Sequence, residues 1–341
     1  MHSVKHVLLF SLAFVLAASE QNGQDDTLKI SKARKLNARA LGPEGSRNSW
    51  NLRSLRPEQP SVTISGPLAG KGTWAYVIDS GVNVDHSEFK GRASHGKCFL
   101  ECGLSGLFGR WRDDRGHGTH VAGIIAGEVG GVAPEANIID VKIANKCGQT
   151  STSLIMKALD WISKDIAKNP GRVTKFLDCK DHNIHPGLVR LVKIVATEGI
   201  PIVVSAGNQG LRTEWDSPKG LPSVITVGAI NSSFYEEPWS NFGPFVDILA
   251  PGVEIHAADT KNINNGVRKS GTSYAAPHAT GIALSLLARS RITSVKELKE
   301  RMIKMATGRT VYPCKESSYG SDRLNRINPT LARRLFDDLS T

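Results

Sequence analysis

The sequence predicts an α/β fold: an open, mostly parallel β-sheet with helices on both faces. Three observations carry this expectation. Short apolar runs, suited to strands covered on two sides, alternate with segments of 3.6-residue apolar period. The composition is ordinary for a globular chain, with 40% hydrophobic and 22% charged residues in 341, which excludes whole-chain disorder and low-complexity architectures. Acidic, histidine and serine residues stand where the apolar runs end, at the edge where open parallel sheets gather their ligands.

Taken in order, Met1–His6 carries Lys5 and leads into the apolar run Val7–Ala18, and Ala17, Ala18 and Ser19 are small. This is the pattern of an export signal over residues 1–19, in a run too short to cross roughly 30 Å of hydrocarbon as a helix. Residues 20–47 are polar, with a basic knot at Lys32, Arg34 and Lys35, and read as a short leader or propeptide remnant. Residues 48–341 show neither internal repeat nor splitting linker and read as one domain. Within it, Trp74–Ile78 reads as a buried strand and Gly118–Ala126 as a helix of small residues. Ile138–Ile143 follows as a strand. Thr152–Ala167 reads as a helix with Leu154, Ile155, Ala158, Leu159 and Ile162 on one face. Leu188–Thr197 is the next helix. Pro201–Ser205, Val224–Ile230 and Val246–Leu249 are strands, and Ser273–Arg289 is a long helix.

The net charge of +11 and pI near 9.5 would suit a polyanion partner. The basic residues are scattered, however, without the interleaved aromatics that base stacking needs, so no nucleic-acid partner is expected. Five cysteines permit at most two internal disulfides and leave a thiol over. Export makes disulfides permissible, and the spacing of Cys98, Cys102, Cys147, Cys179 and Cys314 names no pairs.

Three strand-end or helix-start signals carry chemistry. The strand WAYVI runs into Asp79-Ser80-Gly81. Gly116-His117-Gly118-Thr119-His120 opens a helix whose small residues let it approach a sheet closely. Ser270-Gly271-Thr272-Ser273 places Ser273 at a helix N-terminus, where free N–H groups and the positive end of the dipole favour a developing anion. A serine hydroxyl is a weak nucleophile at neutral pH and needs an adjacent base, a group to orient that base, and an anion site. A metal site at HGTH is not expected, because the HExxH glutamate is missing.

The segments YVIDSGVNVDHSEFKGR, RGHGTHVAGIIAG, GVAPEANIIDVKI, IPIVVSAGNQG, PSVITVGAIN, SNFGPFVDILAPGVEI and SGTSYAAPHATG resemble the subtilases, subtilisin-like serine proteases, and most of all their proteinase K-like branch. The chain order Asp, His, Ser is that of subtilisin. The resemblance implies a subtilisin-like fold with Ser273 as nucleophile, His117 as general base, Asp79 as the residue that orients His117, and Asn208 as a side-chain donor of the oxyanion hole. It implies a secreted endopeptidase that forms an acyl-enzyme, needs no cofactor for its chemistry and acts as a monomer on extended peptide or protein substrates, with no membrane partner.

Substrate would lie between Ala144, Asn145 and Gly148 on one side and a second segment opposite, with Ser205, Ala206 and Gly207 forming a pocket wall. The second segment normally reads like Ser-Leu-Gly-Gly. Here the stretch from Thr174 to Asp181 carries no glycine pair, and larger side chains there would narrow the specificity pocket. That departure supports an alternative, a secreted binding or decoy protein that has lost turnover. Pro222, Val224 and Asp247 match a calcium site of the branch, two carbonyls and a carboxylate, so a structural Ca²⁺ is an expectation. Such proteases usually carry a prodomain of very roughly 80–100 residues, for which residues 20–47 leave too little room.

Overall fold

The computed structural model describes residues 6–10, 49–55, 69–100, 112–168, 186–213, 218–261 and 266–306. The leader at 20–47, the Thr174–Asp181 stretch, and Cys102, Cys179 and Cys314 lie outside these residues. Cys98 and Cys147, the described cysteines, form no disulfide with each other.

In chain order the elements are β1 (His6–Phe10), α1 (Trp50–Ser54), β2 (Trp74–Asp79), β3 (Ala93–Cys98), α2 (His117–Ala126), β4 (Asn137–Lys142), α3 (Thr152–Lys168), α4 (Pro186–Thr197), β5 (Ile202–Ser205), β6 (Val224–Ile230), β7 (Ile248–Pro251), β8 (Ile255–Ala258), β9 (Gly266–Lys269), α5 (Thr272–Arg289) and α6 (Val295–Ala306). Seven strands form one sheet in the order β3-β4-β2-β1-β5-β6-β7, and β8 and β9 form an antiparallel pair. All pairings in the seven-stranded sheet are parallel. The expected α/β class is therefore the observed one.

Side-chain alternation divides the core into two layers. Ala75 and Val77 of β2 face a layer shared with Val121, Ile124 and Ile125 of α2 and Ala276, Ala279, Ile282 and Ala283 of α5. Tyr76 and Ile78 face the other layer, with Ile155, Leu159 and Ile162 of α3 and Leu188, Val192 and Val195 of α4. The predicted stripe on α3 is thus its buried face, apart from Leu154, which packs at the margin. The alanines and glycines of α2 and α5 make close approach possible. A side chain on Gly118 would run into the carbonyl of Gly81.

Helix α1, strands β1, β3, β8 and β9, and helix α6 were not among the expected elements, and three of them are instructive. His6–Phe10, inside the predicted export signal, pairs as β1 with both β2 and β5. A continuous apolar run fits a strand covered on both faces as well as it fits a signal, and periodicity does not separate the two. Strand β3 (ASHGKC) is polar and half exposed, so it lacks the apolar signal of its neighbours. Helix α6 (VKELKERMIKMA) is rich in charged side chains, yet Val295, Leu298, Met302 and Ala306 are buried at helical spacing.

Candidate active site

Asp79 ends β2, and its side chain is fully buried. Both carboxylate oxygens stand 2.9 Å from Nδ1 of His117, and the Ser80 N–H donates to Oδ1 at 2.6 Å. Burial alone would raise the Asp79 carboxyl, but the facing imidazole and the hydrogen bonds from His117 and Ser80 outweigh it and hold the group below its usual value. An ionised Asp79 has no proton to give, so Nδ1 of His117 is the donor and Nε2 is left as the basic nitrogen.

His117 is the first residue of α2, and the helix start is built around a residue that no sequence motif singled out, Asp113. This buried carboxylate accepts four hydrogen bonds. Oδ1 takes the Ser80 hydroxyl at 2.7 Å and the Gly116 N–H at 2.8 Å. Oδ2 takes the Thr119 N–H at 2.8 Å and the Thr119 hydroxyl at 2.7 Å. Ser80 Oγ in turn accepts the Gly118 N–H at 3.1 Å. Asp113 thus caps the helix from four residues upstream of His117 and ties it to the strand end that carries Asp79. An acid shortly before a helix of small residues was the available signal. Behind it, the buried Lys142 donates to the Ser80 carbonyl, and the Asp79 carbonyl accepts the Ile143 N–H at 2.9 Å and the Ala144 N–H at 3.2 Å.

Ser273 is the second residue of α5 and only 5% exposed. Its chain neighbours connect it to the other site residues. The Tyr274 ring lies 5.3 Å from the His117 ring, centroid to centroid. The Thr272 N–H and hydroxyl donate to Asn208 Oδ1 at 2.9 and 2.8 Å. With its carbonyl end so held, Asn208 turns its amide nitrogen toward Gly271, where a Cβ added to the glycine would stand 3.5 Å from it. The Gly207 N–H donates to Thr272 Oγ1 at 3.1 Å, closing the link between β5 and α5.

Ser205 ends β5, and Ala206 and Gly207 open the loop after it; all three are buried. Gly207 has φ +107°, and a side chain there would collide with Asn241 and Gln209. Asn241, which lies in the SNFGPFVDILAPGVEI segment but was given no role by the sequence, organises the loop. Its amide donates to the Ala206 carbonyl at 3.1 Å and to Gln209 Oε1 at 3.0 Å, and its Oδ1 accepts the N–H groups of Gln209 and Leu211 at 3.1 and 2.9 Å. In the loop after β4, Asn145 Oδ1 accepts the N–H groups of Cys147 and Gln149 at 2.9 and 3.0 Å, which makes Ala144–Gly148 a tight turn. Arg115, two residues before His117, fastens this turn through the Cys147 carbonyl at 2.6 Å.

His120 is a packing residue. Its Nε2 faces the carbonyls of Ile255 and Val267 at 3.1 and 2.9 Å, and burial, helped by nearby Lys269, holds the ring neutral. Among the described residues no group of three histidine, cysteine or acidic side chains is arranged to hold a metal. Val224 and Asp247 do come together, but the cation between them is the ammonium of Lys299, 2.8 Å from Asp247 Oδ1 and 2.7 Å from the Val224 carbonyl. Of the residues expected to hold calcium, Val224 and Asp247 thus meet around an ammonium here.

The profile of the Subtilase family matches residues 70–327. Alkaline protease 1 of Aspergillus clavatus is 35% identical over 272 residues, 79% of this chain and 65% of that protein. Subtilisin-like protease 5 of Arthroderma gypseum is 38% identical over 246 residues, 71% of this chain and 60% of that protein. The chain therefore spans just under two thirds of the length of these relatives. The crystal structure of a cold-adapted subtilisin-like serine proteinase superposes with a TM-score of 0.66 at 28% identity, covering 84% of this chain and 98% of that one. By sequence and fold, the chain belongs to the subtilase family.

Proposed function

We propose that the chain is a secreted serine endopeptidase that cleaves peptide bonds through an acyl-enzyme. The observation that carries the proposal is the position of Ser273, flanked by Tyr274 against the His117 ring and by Thr272 on Asn208. In the proposed reaction His117 Nε2 takes the Ser273 hydroxyl proton as Oγ bonds to the substrate carbonyl carbon. The carbonyl electrons move onto oxygen, where the Asn208 amide and the Ser273 N–H receive the charge. Collapse of this intermediate breaks the C–N bond, and the leaving amine takes its proton from His117. Water then repeats the sequence on the ester and frees Ser273. Asp79 stays ionised throughout and stabilises the imidazolium. Extended substrate would run between Ala144–Gly148 and the segment opposite, past Ser205–Gly207.

Fluorophosphonate labelling tests the proposal. The purified full chain is expected to be labelled at Ser273 and to cleave an unfolded protein substrate, with Ser273→Ala giving neither signal. Activity is also expected to fall on acidification, since a protonated His117 cannot accept the serine proton. Labelling of Ser273→Ala, or none of the parent chain, refutes it; an unlabelled chain that still binds peptides would instead be the decoy. Export and the place of residues 6–10 are decided by one measurement, N-terminal sequencing of protein collected outside the cell.

A further inference from the structure

Lys299 is held in place by the helix that carries it. Helix α6 begins with reciprocal capping: Glu297 Oε2 accepts the Thr293 N–H at 2.8 Å, and Ser294 Oγ accepts the Glu297 N–H at 3.0 Å. Leu298, Met302 and Ala306 are buried in the layer shared with α5. With these positions packed, Lys299 reaches to the start of β6 and the residue before β7. There its ammonium donates to the Val224 carbonyl at 2.7 Å and pairs with Asp247 Oδ1 at 2.8 Å, and each charged side chain is only 16% exposed. The other carboxylate oxygen of Asp247 accepts the Thr226 N–H at 2.8 Å.

A hard divalent cation at this place would need those same oxygens, together with others, at roughly 2.3–2.6 Å. An ammonium brings its own positive charge to them and has donors only. The two cations cannot share this largely buried carboxylate and carbonyl, because they would repel at contact distance in a poorly screened position. We propose that Lys299 is a tethered replacement for a structural calcium ion: it fastens the β6–β7 end of the sheet to α6, and the carbonyl–carboxylate site it fills becomes a calcium site when the ammonium is removed.

The experiment uses full chains carrying Ser273→Ala, so that self-digestion does not enter, and reads calcium in two ways. Equilibrium dialysis gives calcium bound per chain for the parent, Lys299→Met, and Lys299→Met with Asp247→Asn. The expected result is one calcium more for Lys299→Met than for the parent, and loss of that gain in the double variant. Thermal unfolding with chelator and with millimolar calcium gives the second reading. Lys299→Met is expected to melt several degrees below the parent in chelator and to recover a larger part of that loss in calcium than the parent gains. Calcium bound elsewhere on the chain contributes equally to all three and subtracts out. Equal stoichiometry and equal calcium shifts in the parent and Lys299→Met would overturn the proposal. If Lys299→Met does not fold in chelator, its recovery of a cooperative transition on adding calcium supports the proposal, and failure to recover overturns it.

Discussion

At the scale of single residues, the site depends on carboxylates with different duties. Asp79 serves His117 directly. Asp113 touches neither His117 nor Ser273 in its hydrogen bonding, yet four donors converge on its oxygens. Replacing it with alanine leaves two hydroxyls and two N–H groups buried without their acceptor. Each such group costs about 1–3 kcal/mol unless water or a rearrangement serves it. A net loss of roughly 3 kcal/mol or more is expected for Asp113→Ala in urea unfolding, along with a fall in kcat larger than any change in KM, because the His117 end of α2 is no longer held against Asp79. Asp113→Asn keeps two acceptor positions on its remaining oxygen and should fall between the two. Unchanged stability in Asp113→Ala would show that water replaces the carboxylate.

At the scale of elements, legibility followed burial. Strand β2, helix α3 and strand β6 were readable to within a residue because both faces of the strands and one stripe of the helix are apolar. The residues proposed as catalytic were readable because each stands at the boundary of an element. Strand β3 was not, since it lies at the sheet edge and needs few apolar residues. Asp113 and Asn241 were given no role because a polar side chain that serves hydrogen-bonding groups of a helix start or of a distant loop leaves no periodicity in the sequence. Helix α1 is five residues long, and its tie to the core includes Asn51 Nδ2 to His278 Nε2 at 2.9 Å, between partners far apart in sequence. Strand β1 has the sequence of an export run, and in the full chain it pairs with β2, the strand of Asp79, and with β5, the strand leading to Asn208. Cleavage after Ser19 would remove it. A chain beginning at Glu20, carrying Ser273→Ala, is therefore expected to melt well below the full chain with the same substitution. Equal melting temperatures would mean that β1 adds nothing to the sheet's stability.

At the scale of the whole molecule, the helix bearing Ser273 makes stability depend on pH through a buried imidazole. Pro277 has no N–H to continue the α5 ladder. One residue on, His278 uses Nδ1 to donate to the Tyr274 carbonyl at 2.8 Å, and its Nε2 accepts from the Asn51 amide. The second bond requires the neutral ring, because a protonated Nε2 cannot accept. Complete burial pushes His278 down to about 4, with the Tyr274 carbonyl acting weakly against it. The unfolded chain takes up a proton on this histidine below about 6.5 while the native chain does so only near 4, so stability is lost as pH falls through that window. Between about pH 7.5 and 4.5 this amounts to roughly 2–3 kcal/mol. His120, also held neutral by burial, acts in the same direction. Asp140 acts against them: burial raises its carboxyl to about 6, with His95 opposing, so the native chain gains a proton first and is favoured on acidification below that value. A difference between two chains isolates His278 from these other groups. Urea unfolding at both pH values, for Ser273→Ala with and without His278→Gln, should show the substituted chain less stable at about pH 7.5 but losing roughly 2–3 kcal/mol less on going to about pH 4.5. Equal losses would assign the acid sensitivity to other groups and remove His278 as the link between pH and the anchoring of the Ser273 helix.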